Sequence, residues 1–509
     1  MSYYLGIEFG STRIKAVVTD GDFVPAYSGE YLWQSEFKNG IWTYDIKEAI
    51  TGLKKALSCI KDKAEISAVG ISGMMHGYLA FDKDWKLLTP FRTWQNTVTA
   101  ESAKKLTALF DFNIPQRWSI AHLYQAILNG EEHIEKVAHV TTLAGYVHFL
   151  LTGVNAVGIG EASGMFPVDG DRLCYNGEMV KKFDALLKKH GIGKSITDLL
   201  PRIYPAGKAA GTLTKSGADM IDGLLCEGTR FAPPEGDAGT GMVATNSIAE
   251  KTGNVSAGTS IFSMLVLEKP LDHAYPEIDI VTTPSGKPVA MVHCNNCTAD
   301  SNAWIKLIGE AVSLFGVEVP TSELYTRLYE KSLEGKADAG GVFVCNYTSG
   351  ESITGLDSGM PLVARLADSE FSLANFMRAS LYSSIATLKI GMEILEKENI
   401  TVQSLVGHGG LFKTEGIAQK YLASALGTPV TCMKTAGEGG PYGMSLLAAF
   451  LDYKHLGLDR FLQEQVFKNT EKKTELPDKK TADGFLRYID GYKKLLTVEK
   501  AATERFKSI

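Results

Sequence analysis

Nowhere in the chain do apolar residues run far enough to span a bilayer, and the N-terminal stretch MSYYLGIEFGSTRIKAVVTD lacks the basic segment and apolar core of a secretory leader. A membrane partner is not expected, and the cytoplasm is the expected location. Basic runs are missing too: with a net charge of −6 and no stripe of Lys or Arg to neutralise a phosphate backbone, nucleic acid is not an expected partner. Cysteine is sparse, with seven residues at irregular spacing, which fits reduced thiols better than a disulfide framework. One pair, Cys294-Asn295-Asn296-Cys297, has metal-ligand spacing, yet zinc would need two further soft ligands, and the adjacent His293 does not supply them. Two small buried thiols at a strand end is the reading preferred. What remains is ordinary globular material, 45% hydrophobic and 22% charged, and 509 residues are enough for two large domains with a core each.

The first twenty residues have the pattern of a hairpin: an apolar strand at Tyr4-Leu5-Gly6-Ile7, a turn at Phe9-Gly10-Ser11-Thr12, then β-branched Ile14, Val17, Val18 and Thr19. The same design returns at Gly253-Asn254-Val255-Ser256, Gly258-Thr259-Ser260 and Ile261-Phe262-Ser263-Met264. Two similar hairpins imply two related α/β halves, residues 1–248 and 249–509. Spacing predicts helices over 46–60, 101–110, 373–398, 414–426 and 441–451, a strand over 66–72, and one long apolar helix over 122–151. The charged tail, 472–509, is expected to be a surface helix without catalytic content.

Small residues in each hairpin turn leave backbone N–H groups open to anionic oxygens. Alone, Gly10-Ser11-Thr12 reads equally as a tight loop; paired with Gly258-Thr259-Ser260 it reads as a clamp on a phosphate chain. Gly407-His408-Gly409-Gly410 follows an apolar strand and suits close approach of a flat ring, although a strand-to-helix turn needs the same residues. Gly439-Gly440 is a candidate second wall of that slot. In the first half, Met75-His76-Gly77 stands between strand-like runs and Trp94-Gln95-Asn96 follows, a set of donors, acceptors and a ring suited to a polyhydroxylated ligand; core methionines and a buried tryptophan are the bland alternative. Asp237, in EGDAGTGM, is an acid in a glycine-rich loop able to take a proton from an attacking hydroxyl. The adjoining G-x-G-x-x-A at Gly239–Ala244 is no dinucleotide fingerprint, because RFAPPEGD before it makes a poor central strand.

In this order and spacing the motifs resemble the FGGY carbohydrate kinases, of the superfamily that holds sugar kinases, chaperone ATPases and actin. YLGIEFGSTRIKAVVTD is similar to the first phosphate loop, SGMMHG and TWQNT to the sugar-contact segments, and EGDAGTGM to the segment of the catalytic base. GNVSAGTS is similar to the second phosphate motif, and GHGGLFKTEGIAQKYLASALGTPV and GEGGPYGMSLLAA to the nucleotide-binding C-terminal segments.

The resemblance implies two ribonuclease H-like (actin-like ATPase) domains with a catalytic cleft between them. ATP and Mg²⁺ are the implied cofactors and a small sugar the implied partner; many relatives are dimers, so a homodimer is one assembly open to the chain, whose sequence does not itself set the oligomeric state. Asp237 is implied as catalytic base, Met75, His76, Gly77, Trp94 and Asn96 as sugar contacts, and Gly10, Ser11, Thr12, Lys15, Gly258, Thr259, Ser260, Gly409 and Gly410 as nucleotide contacts. Glu8 is implied as a metal residue acting through water, with Asp237 beside it. Three departures stand out: Glu8 replaces the family's usual aspartate, Asn96 a common acid, and around Tyr347–Ser352 only Gly350-Glu351 remains of Gly-Glu-Arg-Thr-Pro. Met75-His76-Gly77 points to a ketopentose, D-xylulose or L-ribulose, phosphorylated at its C5 hydroxyl; L-rhamnulose, L-fuculose, a sugar sensor or a plain ATPase are the alternatives.

Overall fold

The computed structural model describes residues 2–60, 66–433 and 439–506. They divide into two compact units: Met1–Glu250 with Lys269–Val289 and Glu438–Thr470, and Lys251–Glu268 with Ala290–Gly437 and Glu471–Ile509. The chain therefore leaves the first unit after Glu250 and returns to it twice.

In the first unit, β1 (Tyr3–Phe9) and β2 (Arg13–Thr19) form the expected hairpin, and β3 (Pro25–Leu32) continues it antiparallel. On the other side of β1 lies β4 (Ile66–Gly73), parallel, followed by the two short strands β5 (Arg230–Phe231) and β6 (Glu235–Gly236) along β4. Pro233 and Pro234 interrupt what would otherwise be one edge strand, because proline cannot donate to a ladder. The sheet order 3-2-1-4-5, with only β2 reversed, is mixed and covered on both faces. One cover is the amphipathic helix Ile46–Leu57, capped by the Asp45 side chain, which accepts from Lys47 N; its buried Leu53 and Leu57 each contribute about 1.5–3 kcal/mol. The helix Gly439–Tyr453 also packs on β1, so closely that a Cβ on Gly6 would lie 1.9 Å from the Pro441 carbonyl oxygen.

The long helix expected over 122–151 is two helices, Ser119–Leu128 and Leu143–Thr152, separated by a 3₁₀ turn and a short strand. Gly130, at φ +64°, takes a conformation that breaks the first, and the Thr142 side chain caps the second by accepting from Gly145 N. The flanking apolar stretches, both largely buried, masked a polar, mostly exposed run, 129–132, that opens with the turn dipeptide Asn129-Gly130.

The second unit repeats the order. β7 (Thr252–Ala257) and β8 (Ile261–Val266) are the second hairpin, and β9 (Pro288–Cys294), in this unit from Ala290 on, flanks β8. On the other side of β7 run β10 (Ser404–His408) and β11 (Val430–Met433), both parallel. The edge strand β12 (Lys472–Glu475) pairs antiparallel with β11, so the tail opens as a strand. Its helix, Lys479–Phe506, buries Phe485, Tyr488, Ile489 and Tyr492, and hence belongs to the core of this unit as well as to its surface. The helix Leu373–Lys397, buried along most of its length, forms the centre of the same core.

Candidate active site

Asp237 occupies the first turn of the helix Asp237–Ala244, directly after β6. Its Oδ1 accepts from Ala238 N at 2.9 Å and from Met75 N at 3.2 Å, which ties the acid to the segment that follows β4. A helix N-terminus favours the ionised acid, yet burial raises its pKa, with the backbone donors opposing that rise. Gly241 has open space where a Cβ would be, and Gly239 meets only Pro284, at 3.5 Å, so both glycines leave this turn uncrowded.

Three further acids surround it. Glu8 lies on β1 opposite Lys15 of β2. Burial first, and the charge of Asp237 second, push its carboxyl up to about 8, with Lys15 opposing them. Glu235, buried beside Asp237 in sequence, accepts from Glu161 N at 2.9 Å, and burial pushes it up to about 8 as well. Glu161 is fully buried and lies well above the usual carboxylate range because of that burial; the Thr142 hydroxyl lowers it, and Glu235 and Asp237 add to the rise. The glycines around the acids are packing requirements. A Cβ on Gly440 would lie 1.6 Å from Glu8 Oε2, and one on Gly158 2.0 Å from Glu235 Oε1. Glu8 and Asp237 offer hard oxygen donors whose mutual repulsion a divalent cation would relieve, so the residues fit magnesium.

Met75 and His76 are buried next to Asp237. His76 has φ +70° and Gly77 φ +85°, a sharp bend uncommon for a histidine. His76 Nδ1 lies 3.0 Å from the Gly164 carbonyl oxygen, and a carbonyl only accepts, so the ring proton is on Nδ1 and Nε2 keeps its lone pair. Burial lowers its pKa to about 3, helped by Arg117, so the ring is neutral; it stacks on Trp118 at 6.2 Å. Trp94 is 40% exposed and so is no buried tryptophan, whereas Met74 and Met75 are buried as core methionines would be; the Trp94 Nε1 donates to Ser11 Oγ at 3.1 Å. The first turn is held further by Trp33 Nε1 to Gly10 O (2.7 Å) and Tyr44 OH to Ser11 O (2.7 Å). Asn96 behaves differently. Its Nδ2 donates to Trp42 O and Thr93 O while its Oδ1 accepts from Trp42 N, so this buried amide clips the chain around Trp94 in place.

In the second unit Gly409 sits at φ +102°, and a Cβ there would lie 2.5 Å from the Ala257 carbonyl oxygen. The 409–410 loop and the Gly258-Thr259-Ser260 turn are thereby adjacent. Gly410 meets nothing within 4 Å. Burial lowers the pKa of His408 to about 4. Cys294 and Cys297 are both buried free thiols at the end of β9, with burial holding them in the protonated form.

Family models for the FGGY family of carbohydrate kinases match this chain at residues 3–227, the N-terminal domain, and 253–451, the C-terminal domain. The chain belongs to that family. It is an ATP-dependent sugar kinase with the two-domain mixed α/β fold that the motifs implied. A xylulose kinase of Haemophilus influenzae is 22% identical over 455 residues, covering 85% of this kinase and 87% of the relative. Among solved structures, a ligand-bound xylulose kinase of Lactobacillus acidophilus superposes with a TM-score of 0.81 at 17% identity over 99% of this chain and 100% of the other. A gluconate kinase of the same organism gives 0.81 at 17% identity over 99% of both chains, so the shared fold spans different sugar acceptors. Among the described residues of the kinase, no helix is long and apolar enough to cross a membrane.

The first unit thus holds Glu8, Lys15, Ser11, Trp94, Met75, His76 and Asp237, with Glu8 and Met75 beside Asp237 and Trp94 beside Ser11, and the second holds Gly258, Thr259, Ser260, Gly409 and Gly410. Gly437 and Glu438 of the GEGGPYGMSLLAA segment lie outside the described residues. Sequence reasoning passed over Glu161 and Glu235. Glu235 had a weak signal in its adjacency to Asp237, whereas Glu161 in GIGEASG had none.

Proposed function

We propose that this kinase transfers the γ-phosphoryl group of ATP to the terminal C5 hydroxyl of a ketopentose, D-xylulose or L-ribulose. The observation that carries the reading is Asp237: an acid at the start of a helix, tethered through Met75 N to the His76 bend. Asp237 takes the hydroxyl proton as that oxygen attacks phosphorus in line, a contribution of about 10²- to 10⁴-fold in rate. His76 Nε2 accepts from a sugar hydroxyl and Trp94 packs against a C–H face, while Asn96 acts as their support. Gly10-Ser11-Thr12 with Lys15, and Gly258-Thr259-Ser260, donate to phosphate oxygens, and Gly409-Gly410 borders the nucleotide ring. Glu8, through water, and Asp237 would hold magnesium, which when bound offsets phosphate charge. The names of the relatives support a xylulose acceptor.

The test is a panel of ketoses, aldoses, gluconate and glycerol with Mg-ATP, following ADP release and sugar phosphate together. D-Xylulose or L-ribulose should give the highest kcat/KM. A stronger response to gluconate or glycerol, or ADP release independent of sugar, would overturn the assignment.

A further inference from the structure

Two residues after the end of β9, a polar clip joins two loops of the second unit. Asn296, buried between Cys294 and Cys297, accepts on Oδ1 from Thr348 N at 2.9 Å and Ser349 N at 3.1 Å, and donates through Nδ2 to Ser349 O at 3.2 Å. Glu351 Oε2 accepts from both Asn296 N and Asn296 Nδ2, each at 3.2 Å. Asn295 Nδ2 adds a bond to Gly350 O at 2.8 Å. Immediately after the clip, Cys297 N donates to Thr259 O at 2.9 Å, Thr298 N to Gly258 O at 3.1 Å, and Thr298 Oγ1 to Gly258 O at 2.8 Å. The carbonyls of the phosphate turn are therefore held by backbone that Asn296 and Glu351 hold in turn. The far side is anchored as well: Asn346 Nδ2 and Ser384 Oγ both donate to Cys297 O, and Tyr347 OH bonds Thr387 Oγ1 on the helix Leu373–Lys397.

We infer that Asn296 and Glu351 are positioning residues that hold the Gly258-Thr259-Ser260 turn in the shape that binds the phosphates of ATP. With Gly258 and Thr259 carbonyls drawn toward residues 297–298, the two peptides that carry them cannot rotate, and their N–H groups, those of Thr259 and Ser260, stay directed the opposite way, toward an anion, while Gly258 N closes the turn by donating to Ser260 O at 2.8 Å. This also accounts for Asn295-Asn296 between two cysteines without metal chemistry: the amides are the working groups and the thiols are packing. Burial raises the pKa of Glu351, and the donors from Asn296 lower it, so the clip also keeps this acid able to accept.

The inference rests on assigning that turn to ATP phosphates, so binding and turnover are measured separately. A fluorescent ATP analogue is titrated without sugar into the full-length wild type, Asn296→Ala, Glu351→Ala and the double variant, followed by steady-state kinetics with the best ketose. Each single variant should raise the ATP Kd and KM by roughly tenfold, the scale of one or two buried hydrogen bonds, with sugar KM within about twofold. The double variant should be no worse than about the weaker single, because both break one connection. Glu351→Gln, which keeps an oxygen for Asn296, should raise the ATP Kd less and covers the case in which Glu351→Ala does not fold. Folded variants with wild-type ATP affinity, additive losses, or equal rises in sugar and ATP KM would overturn the inference alone. Wild type that binds no ATP would overturn the assignment of the turn and the inference with it, whereas wild type that binds ATP and phosphorylates no ketose would overturn only the substrate.

Discussion

The two hairpins share a backbone and differ in chemistry. In both, an antiparallel pair closes through a small-residue turn, and the first strand has a parallel neighbour on its other side. Two residues before the turn glycine, however, the first hairpin carries Glu8, facing Ser72, and the second carries Ser256, facing His408. The first turn is braced by the side chains of Trp33, Tyr44 and Trp94, the second by backbone donors from Cys297 and Thr298. A single local design thus supplies a small-residue turn twice, and only the first of the two hairpins carries an acid, Glu8, at this position. Under the proposed function the acids that do the chemistry lie in the first unit, while the Gly258-Thr259-Ser260 turn and Gly409-Gly410 of the second serve the nucleotide alone.

If that division holds, Asp237→Asn should lower kcat by about 10²- to 10⁴-fold while ATP KM stays within about threefold. Turnover within tenfold of wild type would remove Asp237 as the base. Gly409→Ala should affect the other side. Its methyl would meet the Ala257 carbonyl oxygen at 2.5 Å at φ +102°, so we expect an ATP KM raised about tenfold and a stability loss of about 1–3 kcal/mol, with sugar KM unchanged. Parallel rises in both KM values would break the comparison.

A smaller effect concerns pH. Glu8 and Glu235 have carboxyls pushed up to about 8 in the fold, against an ordinary value of 4.5, so between those values the folded protein holds protons that the unfolded chain releases. Their contribution is complete below pH about 4.5 and declines as pH rises toward 8, before any metal binds. Metal-free thermal melts should therefore show Tm falling over that window, and Glu235→Gln should flatten the slope and gain most at the alkaline end. A slope unchanged in that variant would show that Glu235 is ionised in the fold. The mildest change is Glu8→Asp, the family's usual residue: activity should stay within roughly fivefold, with a shifted Mg²⁺ half-saturation because the carboxylate retreats by one methylene. An unaltered Mg²⁺ dependence would place Glu8 outside the metal's reach.

The hairpins, their small-residue turns and the strand-to-glycine element around Gly409 were legible because hydrophobic period, turn chemistry and glycine placement are local properties, written within a few residues of where they act. The break at Gly130 was written locally too, in the mostly exposed polar run Asn129-Gly130-Glu131-Glu132 with its Asn-Gly turn signal, but the apolar stretches on either side outweighed it. Motif order was enough to place Asp237 and Met75-His76-Gly77 in one kind of enzyme. Only the tertiary structure decided that Asn96 spends its amide on Trp42, that Gly440 must be bare to admit Glu8, that Glu161 and Glu235 crowd Asp237, and that Asn296 meets Glu351. The physical reason is the same in each case: desolvation, close packing and buried hydrogen bonds depend on which atoms become neighbours, and those neighbours come from distant parts of the chain.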